Sequence, residues 1–260
     1  MPNIKIVTFN IRCPWDTDGI NSFMHRIGFV YDKINREKPD VIGFQECTPK
    51  NMEVMEKLFP EYTFHGMYRS VNYWGEGLFV AVRKESFRVV SAESFWISPT
   101  PYLPGSRFPE QSDCPRICNV VQIRRLKSGE MLRLFNVHLD HISEDARVCG
   151  MNFMIDKMAE YNARLPLPSV ILGDFNSVPQ SKTVALCRES ENPVLFDVTC
   201  DIERTNHDFG RRLHTSPSKI DYIFVTAELA DKHIKTEAWE DCHEGIYLSD
   251  HFPVCAEFEY

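Results

Sequence analysis

The sequence predicts a layered fold of the α/β (α+β) class, with mixed β-sheets covered by helices on their outer faces. Short runs rich in β-branched and aromatic residues recur along the whole chain and end at Pro, Gly, Asp or Asn, as strands do. Helical patterns separate some of these runs, while others follow one another closely enough to form hairpins. The chain has 260 residues, 43% of them apolar, which is enough for one sizeable core, so we expect a single domain over 1–260.

The predicted strands extend from the N-terminus to the C-terminus. They cover residues 4–10, 41–46, 77–83, 117–123, 131–138, 169–174, 220–226 and 253–258. Two regions, 77–97 and 117–138, are predicted to form hairpins or meanders. Residues 94–115 are rich in Pro, Ser and aromatic side chains and have neither a strand nor a helix period, so we expect a long loop there. Long ordered loops in compact domains often carry function.

Helices are expected between some of these strands. The first has an apolar stripe behind two cap candidates, and the residues concerned are Asn21, Ser22, Phe23, Ile27, Val30 and Ile34. Thr48 is a further N-cap candidate, and Pro49 after it suits the first helical turn. Ser143 and Ser181 are expected to precede a third helix and a shorter fourth one.

The sequence contains a weak internal repeat. The spacing from Asn10 to Glu46 equals the spacing from His138 to Asp174. A Phe-Asn pair at 9–10 includes the first residue of one interval, and a second pair at 135–136 lies just before the first residue of the other. A duplicated strand–helix–strand unit, facing itself across a shared core, would explain the repeat.

Composition excludes several classes of protein. Lys and Arg total 29 against 37 Asp and Glu, and the net charge of −8 excludes a generally basic nucleic-acid coat. A phosphate-bearing substrate would therefore be bound locally, with the help of a metal. No apolar run reaches the length of a membrane span, and the N-terminus does not resemble a targeting segment. Nine cysteines, an odd number, indicate free thiols and a reducing compartment, so we expect a cytoplasmic protein.

Polar residues stand at the ends of the predicted strands, where an apolar run gives way to a carboxylate, amide or imidazole. They are Asn10, Glu46, His138, Asp174, Asn176, Asp221, Asp250 and His251. In layered α/β proteins the strand ends on one side gather into a single cleft. Each residue alone is compatible with a helix cap or a turn. The series as a whole predicts a hydrolytic site.

The chemistry of these side chains is consistent with attack on a phosphoester. Glu46, Asp174 and Asp250 offer hard oxygen ligands, which suit Mg²⁺ or Mn²⁺ better than zinc. Asp221 with His251 has the composition of a dyad in which a carboxylate fixes the imidazole tautomer and supports its protonated form. The side chains that can hydrogen-bond a developing phosphorane without adding negative charge are Asn10, Asn176 and His138.

Six motifs resemble the signature blocks of the endonuclease/exonuclease/phosphatase superfamily, which has the DNase-I-like fold. They are TFNIR at 8–12, GFQE at 43–46, NVHLDH at 136–141, GDFN at 173–176, KIDYIF at 219–224 and SDHFPV at 249–254. They occur in family order over nearly the whole chain. Further blocks resemble the bacterial branch related to carbon catabolite repression deadenylases, and these lie at 94–98, 104–106, 114–116, 138–141 and 146–147.

This resemblance implies a four-layered α/β sandwich in which two facing mixed sheets are flanked by helices and the site lies at one edge of the sheets. It implies that Glu46 is the principal metal ligand and that Asn10 and Asp250 lie beside the ion. The cofactor would be Mg²⁺ or Mn²⁺. Family members differ in whether one metal or two take part.

The resemblance also assigns catalytic roles. Asp174 would orient or deprotonate the attacking water, and Asn176 and His138 would contact the scissile phosphate. Asp221 and His251 would form the second catalytic pair. Family members differ in which group acts as the general base.

Three further residues are candidates for substrate binding. Arg116 could clamp a phosphate with its planar guanidinium group or form a salt bridge at the start of a strand. Tyr73 and Trp96 could stack on a base or a sugar, or pack their loops against the core. Asp140 and His141 stand at a strand-to-helix junction, where we expect them to fix the turn.

The sequence therefore predicts a metal-dependent phosphoester hydrolase that uses water as the nucleophile, and two substrate classes remain open. The first is a short single-stranded nucleic acid, cleaved by a 3′–5′ exonuclease acting on RNA or oligonucleotides. The second is a small phosphoester, such as a phosphorylated sugar, inositol or lipid headgroup. The net charge of −8 argues against long duplex DNA, whose binding depends on many Lys and Arg contacts. A non-catalytic binding protein of the same fold is the third alternative, and no obligate protein partner is indicated.

Overall fold

A computed structural model describes residues 3–215 and 218–260 of the chain. The strands are β1 (Asn3–Asn10), β2 (Val41–Cys47), β3 (Tyr62–Tyr68), β4 (Gly77–Arg83), β5 (Phe87–Trp96), β6 (Ile117–Arg125), β7 (Met131–His138), β8 (Ser169–Asp174), β9 (Phe196–Asp197), β10 (Asp221–Val225), β11 (His233–Ala238), β12 (Cys242–His243), β13 (Ile246–Tyr247) and β14 (Val254–Glu259). The helices are α1 (Phe23–Glu37), α2 (Pro49–Leu58), α3 (Glu144–Arg164), α4 (Lys182–Arg188) and α5 (Ala227–Ala230), with a 3-10 helix at Asp16–Asn21.

Most strands belong to two six-stranded mixed sheets of the same topology. The first has the order β11-β14-β1-β2-β4-β3, and the second has the order β5-β6-β7-β8-β10-β9. Each contains one parallel pair, β1 with β2 and β7 with β8, and the crossover helices α1 and α3 connect these pairs. The weak repeat in the sequence thus corresponds to two strand–helix–strand units at equivalent positions in the two sheets.

The two sheets pack face to face, and helices cover their outer faces. A cluster of aliphatic residues, including Ile6 and Val80 from the first sheet and Leu134 and Leu172 from the second, fills the space between the sheets. A second cluster joins the first sheet to α1 and α2, and a third joins the second sheet to α3 and α4. The predicted four-layered sandwich is therefore confirmed. Among the residues that the structure describes, no helix is long and apolar enough to cross a membrane.

Helix starts agree with the sequence prediction. The side chains of Thr48, Ser143 and Ser181 each accept a hydrogen bond from a backbone N–H in the first turn, as N-caps do. Ser22 holds the N-cap position of α1 but accepts no such bond. The predicted helix boundaries follow from these local signals, which depend little on tertiary packing.

The prediction missed two longer strands, β3 and β11, and the two-residue strands β9, β12 and β13, and it placed the start of one loop too early. β3 and β11 are the edge strands of the first sheet, and β11 is largely exposed, so neither has the apolar pattern of a central strand. The loop predicted from residue 94 begins only after Trp96, because residues 94–96 pair with 117–119 of β6.

Sheet topology brings the polar strand ends to one edge of the sandwich. β1, β2, β7 and β8 end there at their carboxyl ends. β10 is antiparallel to β8, so it begins at the same edge, and Asp221 lies directly opposite Asp174. β14 is antiparallel to β1, so the segment before it, with Asp250 and His251, also reaches this edge.

Candidate active site

The strand ends open into a cleft of about 350 Å³. The predicted site residues that line it are Glu46, Arg116, His138, Asp174, Asn176, Asp250 and His251. Asn10 and Asp221 lie behind this lining, and each is hydrogen-bonded to a residue of the cleft. The structure therefore brings together the catalytic and metal-binding residues that the sequence predicts.

Unusual backbone conformations orient two of these side chains. Glu46 has a φ of 59° at a bulge, where the pairing of β2 with β4 shifts register between Phe44 and Cys47. Asn176 has a φ of 50° just after β8. The left-handed conformation costs a non-glycine residue about 1 kcal/mol or more, and such residues cluster at functional sites. Here they end the strand pattern and leave both side chains at the cleft.

The side-chain amide of Asn10 connects the carboxylates of the two sheets. Its Nδ2 donates to Oε1 of Glu46 at 3.0 Å and to Oδ2 of Asp174 at 3.1 Å. Glu46 receives two further hydrogen bonds at Oε2, from the backbone N–H of Cys13 at 3.1 Å and from its thiol at 3.2 Å. The backbone N–H of Arg12 donates to Oδ1 of Asn10 at 3.0 Å, which fixes the orientation of the amide.

Asp250 lies on the same side of the cleft as Glu46. Its Oδ2 is 3.3 Å from Nη1 of Arg12, and the guanidinium of Arg12 also pairs with Asp18 at 3.3 Å. Burial would raise the pKa of Glu46, but the hydrogen bonds from Asn10 and Cys13 lower it below its ordinary value. Glu46 is therefore held as a carboxylate.

Asp221 and His251 form the predicted dyad. Nδ1 of His251 lies 2.8 Å from Oδ2 of Asp221 and 4.0 Å from Oδ2 of Asp174, and the side-chain amide of Asn206 lies 2.9 Å from Nε2. Burial opposes the charged form of the imidazole, but the charge of Asp221 and the hydrogen bond to it raise the pKa of His251 well above its ordinary value. Asp221 therefore favours the charged form of the imidazole.

His138 has the opposite protonation state. Its Nε2 lies 3.6 Å from Oδ2 of Asp174. Burial and the positive charges of Arg116 and Arg69 lower the pKa of His138 well below its ordinary value. Asp174 thus lies between a neutral imidazole and a charged one, two groups whose environments drive their pKa values apart, as in acid/base sites.

Carboxylates crowd this part of the cleft. Burial raises the pKa of Asp174 to about 7, and the charge of Asp221 adds to the effect. Burial also raises the pKa of Asp250, with a contribution from Glu46. These shifts indicate that Arg12 and His251 compensate the buried carboxylates only in part, and a divalent cation would supply further positive charge.

A metal could be held at this side of the cleft. In the part of the chain that the structure describes, one oxygen each of Asp174 and Asp221 and a ring nitrogen of His251 all lie within 4.8 Å of one another. Nδ1 of His251 and Oδ2 of Asp221 already form a hydrogen bond of 2.8 Å, which a metal ion bound to both atoms would replace. Hard oxygens remain on Glu46, Asp174 and Asp250, and that donor set suits Mg²⁺ or Mn²⁺.

The two aromatic residues predicted to bind substrate, Tyr73 and Trp96, differ in accessibility. Trp96 is 3% exposed and donates from Nε1 to the backbone carbonyl of Arg69 at 2.7 Å. Its burial argues against the stacking role that we expected from the sequence. Tyr73 is 50% exposed, and its ring packs edge-on against Trp96 at a centroid distance of 5.8 Å, but it does not line the cleft.

Sequence reasoning missed other residues of the cleft. Those without an assigned role include Arg12, Cys13, Trp15, Arg69, Glu76 and Asn206. Arg69 and Glu76 flank the turn between β3 and β4, and opposite charges on either side of a hairpin turn were the available signal. Asp140 fixes its turn as expected, accepting from the N–H groups of Ile142 and Ser143, whereas His141 also lines the cleft.

The raised pKa of Asp174 leads to a stability prediction for the metal-free protein. An acid whose pKa is raised by folding stabilises the fold at low pH, and this contribution is lost as the pH rises through about 7. The variant Asp174→Asn removes the charge. We therefore expect the variant to gain stability relative to the wild type when the pH is raised from about 5 to about 8. The gain in the free energy of unfolding should be about 1–3 kcal/mol, which corresponds to a rise of a few degrees in relative melting temperature.

The measurement is thermal melting at both pH values in the presence of a chelator. The exposed variant Asp201→Asn serves as the control and should show no such difference. If the difference in melting temperature between Asp174→Asn and the wild type were the same at both pH values, the proposed crowding of the carboxylates would be contradicted.

Comparison with known proteins supports the resemblance seen in the motifs. The structure of an endonuclease/exonuclease/phosphatase from Bacteroides vulgatus is 28% identical, covers 100% of this chain and 99% of its own, and has a TM-score of 0.91. A mannosyl-6-phosphatase from Bacteroides thetaiotaomicron is 25% identical over 99% of this chain and 100% of its own, with a TM-score of 0.87. The human Nocturnin catalytic domain, 15% identical over 99% of this chain and 93% of its own, has the same fold, with a TM-score of 0.74.

The family comparison extends over nearly the whole chain. The model of the Endonuclease/Exonuclease/phosphatase family matches residues 7–251, an interval that contains all of the predicted catalytic and metal-binding residues. The expectation from the six motifs is thereby confirmed. The chain belongs to the endonuclease/exonuclease/phosphatase family.

Proposed function

We propose that the protein is a divalent-metal-dependent phosphatase that hydrolyses a small phosphomonoester such as a phosphorylated sugar. The observation that carries the proposal is the crowded set of carboxylates, Glu46, Asp174 and Asp250, beside one charged and one neutral histidine in a confined cleft. Hydrolysis of phosphoesters is the chemistry of the family, and the choice of substrate rests on the form and charge of the cleft.

The metal would be held by Glu46, with Asp174 and Asp250 beside it. When bound, the cation supplies Lewis-acid polarisation of a phosphoryl oxygen and neutralises part of the charge of the substrate. Asn10 positions Glu46 and Asp174, because its Nδ2 already donates to both carboxylates. It therefore acts on the ligands from behind, with its Oδ1 engaged by the N–H of Arg12.

The residues of the chain would divide the proton transfers. The oxygen of water bonds to phosphorus while the bond between phosphorus and the alcohol oxygen breaks, and the leaving oxygen keeps the electron pair. Asp174 orients the attacking water and accepts a proton from it. The imidazolium of His251, held by Asp221, stabilises the developing negative charge and can supply a proton to the leaving oxygen. His138 and Asn176 contact the phosphoryl oxygens.

The form of the cleft favours a small substrate. Its volume of about 350 Å³ suits a molecule of a few rings at most. Acidic residues outnumber basic ones, as the net charge of −8 shows, whereas binding of a long polyanion depends on many Lys and Arg contacts. The similarity to a mannosyl-6-phosphatase covers both chains almost completely, which supports a phosphorylated sugar as the substrate class.

A short single-stranded nucleic acid is the second candidate, and one observation favours it. A groove of about 330 Å³ adjoins the cleft and shares Cys13, Trp15 and Glu76 with it. Trp15 and Trp74 line this groove and are 54% and 64% exposed, so both could stack on bases. A screen of sugar phosphates against short oligonucleotides, with Glu46→Gln as the blank, separates the two candidates.

All nine cysteines are described by the structure as free thiols. Several of them, such as Cys47 and Cys187, are buried, and burial raises the pKa of both. Free thiols persist where the surroundings are reducing. We therefore propose that the protein is cytoplasmic.

Glu46→Gln should abolish the metal-supported reaction while the protein stays folded. The change removes the charge of the principal ligand but keeps its size, so we expect Mn²⁺ to bind at least about 10-fold more weakly and kcat/KM to fall by about 10³-fold. The measurements are calorimetric titration with Mn²⁺ and steady-state kinetics. Glu85→Gln, at a side chain that is 79% exposed, is the matched control and should behave as the wild type. Full activity in excess chelator would refute metal dependence.

Asp221 and His251 should act as one unit. Asp221→Asn and His251→Ala should each lower kcat by about 10²- to 10⁴-fold, because the imidazole depends on the carboxylate that holds its tautomer and its charge. The double variant should be scarcely worse than the poorer single variant. If the two losses multiplied in the double variant, the residues would be acting independently and the pairing would be wrong.

A further inference from the structure

One wall of the cleft carries two arginines that the proposed reaction does not use. Arg69 follows β3, and Arg116 precedes β6. The indole N–H of Trp96 donates to the backbone carbonyl of Arg69 at 2.7 Å, which ties the β3–β4 hairpin to the second sheet. Both arginines line the cleft together with His138. The wall is thus built from both sheets and is supported by a buried aromatic side chain.

The charge of Arg116 is poorly compensated. Its side chain is 4% exposed, and its nearest carboxylate oxygen, Oδ2 of Asp140, is 4.0 Å from Nε. Asp140 already accepts from Ser112, Ile142 and Ser143. Nη2 of Arg116 lies 3.0 Å from Nδ1 of His141, a ring that brings no negative charge.

Two guanidinium nitrogens of Arg116, Nε and Nη1, have no hydrogen-bond partner among the described residues. A buried cation in this state is costly unless an anion approaches it.

Arg69 adds a second positive charge to the same wall. Its Nη2 pairs with Oε2 of Glu76 at 2.9 Å. Burial lowers the pKa of Arg116, and the positive charge of Arg69 lowers it further. Arg69 thus has a close carboxylate partner, whereas Arg116 has only the 4.0 Å contact with Asp140, so the wall keeps guanidinium donors free for an anion. Glu46, the proposed principal metal ligand, lines one small cavity together with both arginines and His138.

Behind the wall there is little space. A cavity of about 10 Å³ lies between Glu46, Arg69, Glu76, Arg116 and His138, which is room for a water molecule at most. A phosphoryl group bound between the metal ligands and the arginines could therefore point unesterified oxygens toward the wall. An ester chain on that side would meet packed side chains.

We propose that Arg69 and Arg116 form a receptor for a phosphate dianion and make the enzyme select phosphomonoesters over phosphodiesters. The inference rests on the proposed phosphatase function and deepens it. A monoester carries two negative charges on three unesterified oxygens, which match two guanidinium groups and a metal ion. A diester carries one charge and a second chain, for which the wall offers neither compensation nor space.

The test compares two substrates and two ligands. The substrates are p-nitrophenyl phosphate and bis(p-nitrophenyl) phosphate, and the ligands, measured by calorimetry, are inorganic phosphate and dimethyl phosphate. Arg69→Gln and Arg116→Gln should each lower kcat/KM for the monoester and the affinity for inorganic phosphate by about 10- to 100-fold, the loss expected for a charged hydrogen bond. The diester rate and the affinity for dimethyl phosphate should change less than about 3-fold.

The control is Arg88→Gln, which removes an exposed positive charge at the far end of β5 and should change neither substrate. Thermal melting shows whether Arg116→Gln, at a buried side chain, still folds. If Arg116→Gln does not fold, Arg69→Gln, at a more accessible side chain, decides whether the arginines select the monoester. Equal losses on both substrates, or none, would overturn the inference. A wild type that hydrolyses neither substrate would refute the proposed function, while the calorimetric comparison would still decide whether the arginines select the dianion.

Discussion

The architecture of the site depends on one buried amide that joins two sheets. Asn10 ends β1 of the first sheet, and its Nδ2 donates both to Glu46 of its own sheet and to Asp174 of the other. Carboxylates repel each other, and burial increases the cost of their charge. The amide brings them to one point without adding charge. Asn10 thereby holds the two carboxylates close together, burial and the charge of Asp221 raise the pKa of Asp174, and we expect a bound cation to relieve this crowding.

Duplicated topology explains why the polar residues meet. The parallel pairs β1–β2 and β7–β8 end at the same edge, so each sheet contributes a carboxylate from its second parallel strand, Glu46 and Asp174. A buried polar contact also links the sheets, because Nε2 of Gln45 lies 2.8 Å from Oδ1 of Asn136. Such a contact in an apolar core disfavours other registers. The precision of the site therefore comes from sheet packing.

The sequence predicted the acidic and imidazole part of the site because those residues stand at strand ends, and parallel strands deliver their ends to one edge. It predicted Arg116 as a candidate phosphate clamp but missed Arg69, the other arginine of the wall. Arg69 lies after an edge strand without a clear apolar pattern, and the contact of its backbone with Trp96 depends on how the hairpin packs on the other sheet. Burial of Trp96 has the same origin, since a pattern along one strand contains no information about which neighbouring segment covers it.

The central claim is that Glu46 and Asp174, joined through Asn10, form the metal centre. Anomalous diffraction from crystals soaked in Mn²⁺ tests it most directly. We expect an anomalous peak in the cleft within about 2.5 Å of a carboxylate oxygen of Glu46, a distance at which oxygen ligands bind such ions. A cleft without a peak, or an ion bound only by His251 and Asp221, would contradict the claim.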